Sequence, residues 1–211
     1  MAMEVNTTDQ EEIEQLKKWW SENGTSLVIG VSAGLMLLFG WKAWHNYVDS
    51  QGMAASQYFE RVQAALIQED HEKALTVGGQ LLDQYSGTIY AANSALGLAA
   101  MEVERGNGAA ARLHFQWVLE NSSFDSPRQL ARLGIARTYL NEGDLDQALQ
   151  QLTLEQSTIY GSHYSEVKGD VLRQQGKREA AQQAYTEAMK LADEMDDRRE
   201  LLKMKLAEVS S

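Results

Sequence analysis

The sequence predicts an all-α protein: a single transmembrane helix near the N-terminus followed by a solenoid of helix pairs. Three observations carry that prediction. An apolar run, TSLVIGVSAGLMLLFGWKAW, occupies Thr25–Trp44 with Lys42 as its one charge. Beyond it, alanine, leucine, glutamine, glutamate and arginine dominate, runs of alternating β-branched residues are missing, and Pro127 is the sole proline. Short polar turns recur at Glu69-Asp70, Gly106-Asn107, Gly143-Asp144 and Gly176-Lys177, spaced 37, 37 and 33 residues apart.

The apolar run has 20 residues, and at about 1.5 Å per residue it reaches roughly 30 Å, the thickness of a bilayer's hydrocarbon core. Three readings compete for it, a transmembrane helix, a cleaved signal peptide or a buried core helix, and its flanks decide among them. A secretory leader has a short basic start, whereas residues 1–24 carry Glu4, Asp9, Glu11, Glu12, Glu14 and Glu22 against Lys17 and Lys18. Trp19 and Trp20 on one side, with Trp41, Trp44 and Tyr47 on the other, mark an aromatic belt at each interface. The reading is an uncleaved span at 25–44. Lys17 and Lys18 lie just before it, and no Lys or Arg occurs from His45 to Glu60, so residues 1–24 are expected in the cytoplasm and the remainder across the membrane. In a Gram-negative bacterium that far side is the periplasm. Gly30 and Gly34 would permit close contact with another span, although glycine is common in spans without such a role.

The net charge of −11 divides into −4 before the run, +1 within it and −8 after it. Neither side offers a basic surface for nucleic acid. The chain has no cysteine, which suits either redox compartment.

Residues 45–211 suffice for one domain with its own core. From Trp44 to Ile67 two readings stand, a helix continuing out of the membrane or a separate helix after a hinge at Gly52, with near-continuity preferred. Five residues after the start of each turn stands an alanine: Ala74, Ala111, Ala148 and Ala181. Seven residues before it come Val62, Ala99, Ala136 and Gly169, so facing helices are mostly small where they cross. Nine residues after it come Gly78, Phe115, Leu152 and Tyr185, of which the last three fill space between neighbouring helices. Pro127 is read as the first helical residue after an N-cap at Ser126.

This helix–turn–helix alternation resembles the tetratricopeptide repeat. The copy KGDVLRQQGKREAAQQAYTEAMKLA matches best, and the copy with Tyr139, Gly143, Ala148 and Leu152 follows it closely. The second copy has Glu102 where the motif prefers an aromatic, and the first has Gly78-Gly79 where a bulky residue belongs. Atypical end repeats are expected in a capped solenoid. Asp193–Ser211 is read as that cap, with Leu191, Met195, Leu202, Leu206 and Val209 near one helical face.

Signals for chemistry are weak. His45, His71, His114 and His163 lie far apart, in no zinc-binding spacing. A phosphate loop, a dinucleotide fingerprint and a Gly-x-Ser-x-Gly elbow are all missing. The adjacent acids Asp196-Asp197 and Glu11-Glu12 diverge on a helix instead of sharing a site. The chain is therefore read as a non-enzyme without catalytic, metal or cofactor residues. A solenoid of helix pairs supplies instead a concave surface for another chain. Asn93, Arg132, Arg137, Tyr164 and Arg173 lie on first helices of pairs and are candidates to line it, against the plainer reading of a solvated helix face.

Lys17-Lys18-Trp19-Trp20 followed by Glu22-Asn23-Gly24, the glycine-rich span closing on Gly40-Trp41-Lys42-x-Trp44, and Ala54-Ala55-Ser56-x-Tyr58 ahead of the repeats resemble the YfgM family of ancillary SecYEG translocon subunits. The resemblance implies a single-pass (type II) inner-membrane protein with a periplasmic repeat domain. It also implies partners: the SecYEG translocon, a membrane-anchored peptidyl-prolyl-isomerase-like periplasmic chaperone, and secretory chains as they emerge. The competing class is a membrane tether that sequesters a regulator of an envelope stress response, with no part in translocation.

Overall fold

The computed structural model describes the backbone of residues 5–153, 159–193 and 195–210, and side chains within those ranges from residue 11 onward. Residues 1–4 of the expected cytoplasmic segment and Ser211 of the expected cap lie outside the described residues. The chain divides into two compact units, Met1–Ser50 and Gln51–Ser211. Every regular element among the described residues is an α-helix, and none is a strand.

The first unit holds the greater part of α1, Val5–Ile67, which includes Gly52 without an interruption. Its most apolar 18-residue window has a mean hydropathy of 1.7 and is 6% buried. Leu27, Val28, Ile29, Val31, Leu35 to Phe39, Trp41 and Trp44 are all exposed. A core helix hides one apolar stripe in the protein, whereas an apolar surface on all sides suits lipid. The helix is long and apolar enough to cross a membrane.

The second unit begins with the end of α1 and continues through α2 (His71–Gln84), α3 (Ile89–Glu104), α4 (Gly108–Asn121), α5 (Asp125–Glu142), α6 (Leu145–Thr153), α7 (Gly161–Gln174), α8 (Arg178–Leu191) and α9 (Arg199–Ser210). From α2 onward sequential helices pack together, and α5 also meets α3 and α7 side by side; the end of α1 packs on α2 and α3 through Val62, Leu81 and Leu98. The fold is a tetratricopeptide-repeat-like solenoid in which each pair's first helix joins a common layer.

One hydrogen bond recurs at each pair's turn. Asp70 N–H donates to Ala65 O, Asn107 to Glu102 O, Asp144 to Tyr139 O and Lys177 to Leu172 O, at 2.8–2.9 Å. This six-residue closure satisfies a helix-end carbonyl and needs a left-handed residue just before its donor. Gly106, Gly143 and Gly176 supply it at φ +76°, +81° and +74°, and Glu69 does so at φ +55°. Just after the turns, Ala74, Ala111, Ala148 and Ala181 are fully buried, as are Val62, Ala99 and Ala136 on the facing helices. The core continues as successive clusters, from Val62, Leu81 and Leu98, through Phe115, Val118 and Ile135, to Leu133, Val167 and Val171, then Leu172, Tyr185 and Val209.

The structure corrects three details. Helix α5 starts at Asp125 with Phe124 at its N-cap, so Pro127 is the third helical residue, still within the turn whose N–H groups have no helical partner. Ser126 does not cap; its hydroxyl hydrogen-bonds the Tyr160 hydroxyl at 2.8 Å. Of the residues assigned to the cap seam, Leu202 and Val209 are buried and Leu206 packs against the core, but Met195 is 97% exposed and Leu191 half exposed. Met195 precedes α9 in a turn and does not share its helical phase.

Candidate interaction surface

The common layer of first helices offers two different environments. At its start, the end of α1, the first residues of α2 and the middle of α3 surround a groove of about 520 Å³. Its apolar lining comes from Leu66, Ile67, Gly97, Ala100 and Met101. Gly97 lets Leu66 approach closely there: an added Cβ would stand 3.0 Å from Leu66 Cδ1. Ile67 is 80% exposed beside the groove.

At the other end the same layer is charged. Glu166 and Asp170 sit one turn apart on α7, and Lys205 Nζ from α9 donates to both at 2.8 Å. Arg198 also reaches Glu166, at 3.0 Å. The Tyr185 hydroxyl donates to Asp170 at 2.8 Å, and Lys205 lies 5.8 Å from the Tyr185 ring centroid. Burial pushes the Glu166 carboxyl up, but the Lys205 hydrogen bond and the charges of Lys205, Arg198 and Arg137 outweigh it, leaving the group below its ordinary value. Tyr185 is pushed up by burial and then by its bond to Asp170. Arg199 secures α9 from the other side, donating to Met189 O and Ala192 O at the end of α8.

The candidates for the binding face separate accordingly. Asn93 on α3 and Arg137 on α5 are exposed. Desolvation lowers Arg137, against the raising effect of Glu166 and Asp170. Arg173 is exposed on α7 but pairs with Glu208 of α9 at 2.7 Å, and Arg132 is half-buried. Tyr164 is buried, with its hydroxyl donating to Gln129 O at 2.9 Å. It belongs to the core between α5 and α7, not to a surface. No sequence signal connected Lys205 with Glu166, 39 residues apart, because neither residue type nor spacing identifies a partner across non-adjacent helices.

Nothing in the histidines suggests joint chemistry. His45 stacks on Trp41 with centroids 6.2 Å apart. His114 is lowered by burial, opposed by Glu102, and His163 is lowered by burial and by Arg198 and Arg137. Among the described residues no group of three His, Cys, Asp or Glu is placed to hold a metal.

Comparison with known proteins extends this picture along the whole chain. It is 25% identical over 209 residues to a protein of Escherichia coli named "Ancillary SecYEG translocon subunit", covering 99% of this chain and 100% of that one. Proteins of the same name from Haemophilus influenzae and Neisseria gonorrhoeae are 24% identical over 204 residues and 26% identical over 208, each covering 97% of this chain and 98% of the relative. Residues 17–211 match the family described as "Tetratricopeptide repeat-like domain", and with the greater part of its length so matched, the chain belongs to that family.

Proposed function

We propose that this protein is a membrane-anchored ancillary subunit of the SecYEG translocon, with a non-catalytic, protein-binding role. The observation that carries the reading is the end-to-end correspondence with ancillary translocon subunits, which includes the apolar helix as well as the repeats. On this reading α1 crosses the inner membrane with its N-terminus in the cytoplasm, and residues 45–211 work in the periplasm. There the layer of first helices binds a membrane-anchored, peptidyl-prolyl-isomerase-like chaperone and receives secretory chains as they leave the channel. The anchor's physical contribution is concentration: tethering converts a bimolecular encounter beside the channel into an effectively intramolecular one.

Photocrosslinking in living cells tests this. A photoreactive residue at Asn93 or at Arg137 is expected to capture translocon subunits and the periplasmic chaperone. Capture of cytoplasmic proteins alone would overturn it, as would inactivity of a periplasm-dependent reporter fused after Ser211.

A further inference from the structure

We propose that the groove between the end of α1, the start of α2 and α3 binds an extended peptide segment in which apolar side chains adjoin a lysine or arginine. The proposal rests on the protein-binding role above but not on where in the cell that binding occurs. The groove has a volume of about 520 Å³ and mixes apolar with polar lining residues. Leu66 and Ala100 offer apolar surface to it, Met101 beneath them belongs to the core, and Ile67 stands almost free at its edge.

Charge selects the occupant. Glu69 and Glu104 line the groove and are exposed. Arg105 is the rim's basic residue, and Glu102 holds it at 3.0 Å. Glu102 is itself buried and accepts a second hydrogen bond from Asn107 at 2.7 Å, so Arg105 is already matched from inside. The rim therefore presents two carboxylates and no competing free cation from Arg105. An acidic rim around an apolar floor favours a cation beside apolar side chains and repels an acidic segment.

Glu69 also occupies the left-handed position of its turn. Three equivalent turns place glycine at the left-handed position, and this one alone places a residue with a side chain there, at φ +55°. A left-handed non-glycine residue is strained. Glycine meets this backbone requirement with less strain at the three sibling turns, so replacing Glu69 by glycine removes the carboxylate without harming the turn.

The test uses the full chain in nanodiscs of phosphatidylcholine, with empty nanodiscs as the blank, and fluorescein-labelled 12-residue peptides followed by anisotropy. One peptide carries leucines flanked by lysines; its partners replace lysine by glutamate or leucine by serine. The lysine–leucine peptide is expected to bind, and both replacements to lose about fivefold or more. Ala100→Trp, which fills the groove, should abolish binding while the melting temperature holds. Glu69→Gly should weaken binding about fivefold while raising the melting temperature, an opposition that a merely structural Glu69 would not produce. Equal binding of the lysine and glutamate peptides, or binding unchanged in Ala100→Trp, would overturn the proposal. Self-association that Ala100→Trp removes, with no peptide bound, would assign the groove to a second copy and overturn it likewise. Crosslinks to the translocon that persist in Glu69→Gly cells would then leave the broader function standing while the groove's role fell.

Discussion

The first and last helix pairs share one backbone plan and solve its packing in opposite ways. In the last pair the small residue is on the first helix: Gly169 of α7 lies under the Tyr185 ring of α8, where a methyl group would overlap the ring. Between pairs, Phe115 of α4 covers Gly134 of α5. In the first pair the small residue is on the second helix, Gly78 of α2, and the space is filled from the next helix by Leu98 of α3, whose Cδ1 would stand 2.7 Å from an added Cβ. The first repeat departs from the motif at Gly78, yet it is fully packed, with Leu81 and Leu98 buried beside it. The space beside the small residue is thus filled from within the pair at the C-terminal end and from the next pair at the N-terminal end.

The two ends also differ in what they leave unsatisfied. At the C-terminal end α9 neutralises Glu166 and Asp170 and closes the stack. At the N-terminal end Glu69 and Glu104 face a groove that remains open. A closed end contributes stability, and an open end is available to a partner.

The contrast in packing predicts the largest effect. Gly169→Ala should destabilise the full chain by about 3 kcal/mol, because the rigid Tyr185 ring must move as a body. Gly78→Ala should cost about 1 kcal/mol, since Leu98 can give way at its flexible tip. Equal losses in urea unfolding would show that the two packings are not opposite in kind. Next comes Glu166→Gln, which leaves Arg198 and Lys205 with one carboxylate fewer and should cost about 2 kcal/mol at neutral pH. Its pH dependence has a definite sign. The folded Glu166 lies below its ordinary value, so its contribution is present above about pH 4.3, the unfolded glutamate value, and is lost as pH falls through the folded value. The stability gap between wild type and Glu166→Gln should therefore close under acid; a gap constant down to pH 3 would argue against the charge network.

At the turns the effects are smaller and opposite in sign. Glu69→Gly should raise stability by about 1 kcal/mol, and Gly176→Ala should lower it by a similar amount, both read from thermal melting. Smallest is Arg173→Ala. Its partner Glu208 is more than half exposed, and the loss should stay within about 0.5 kcal/mol and diminish further in high salt.

Much of this architecture is legible in the residues. Ala74, Ala111, Ala148 and Ala181 are read at a fixed offset from each turn, and Gly106, Gly143 and Gly176 mark the turns themselves, because local backbone geometry and close helix approach each demand a particular residue type. Tyr164 illustrates the limit: its place on a first helix is legible, but helical phase alone does not say whether it faces solvent or α5. Pro127 fails because helix ends shift by a residue or two without altering the pattern that predicts them, and Met195 because the chain leaves the helix between Leu191 and Arg199, a break that the apolar spacing does not reveal.

By itself, then, the sequence determined the all-α class, the repeating turns, the small residues at the crossings and an apolar helix long enough for a bilayer. Those features depend on spacing along one chain, which periodicity records directly. Only the tertiary structure decided that Leu98 fills the space above Gly78, that Lys205 joins Glu166 to Asp170, and that Glu69 and Glu104 flank an open groove. These are contacts between residues far apart in the chain, and their partners are chosen by how helices stack in space, which no local spacing encodes.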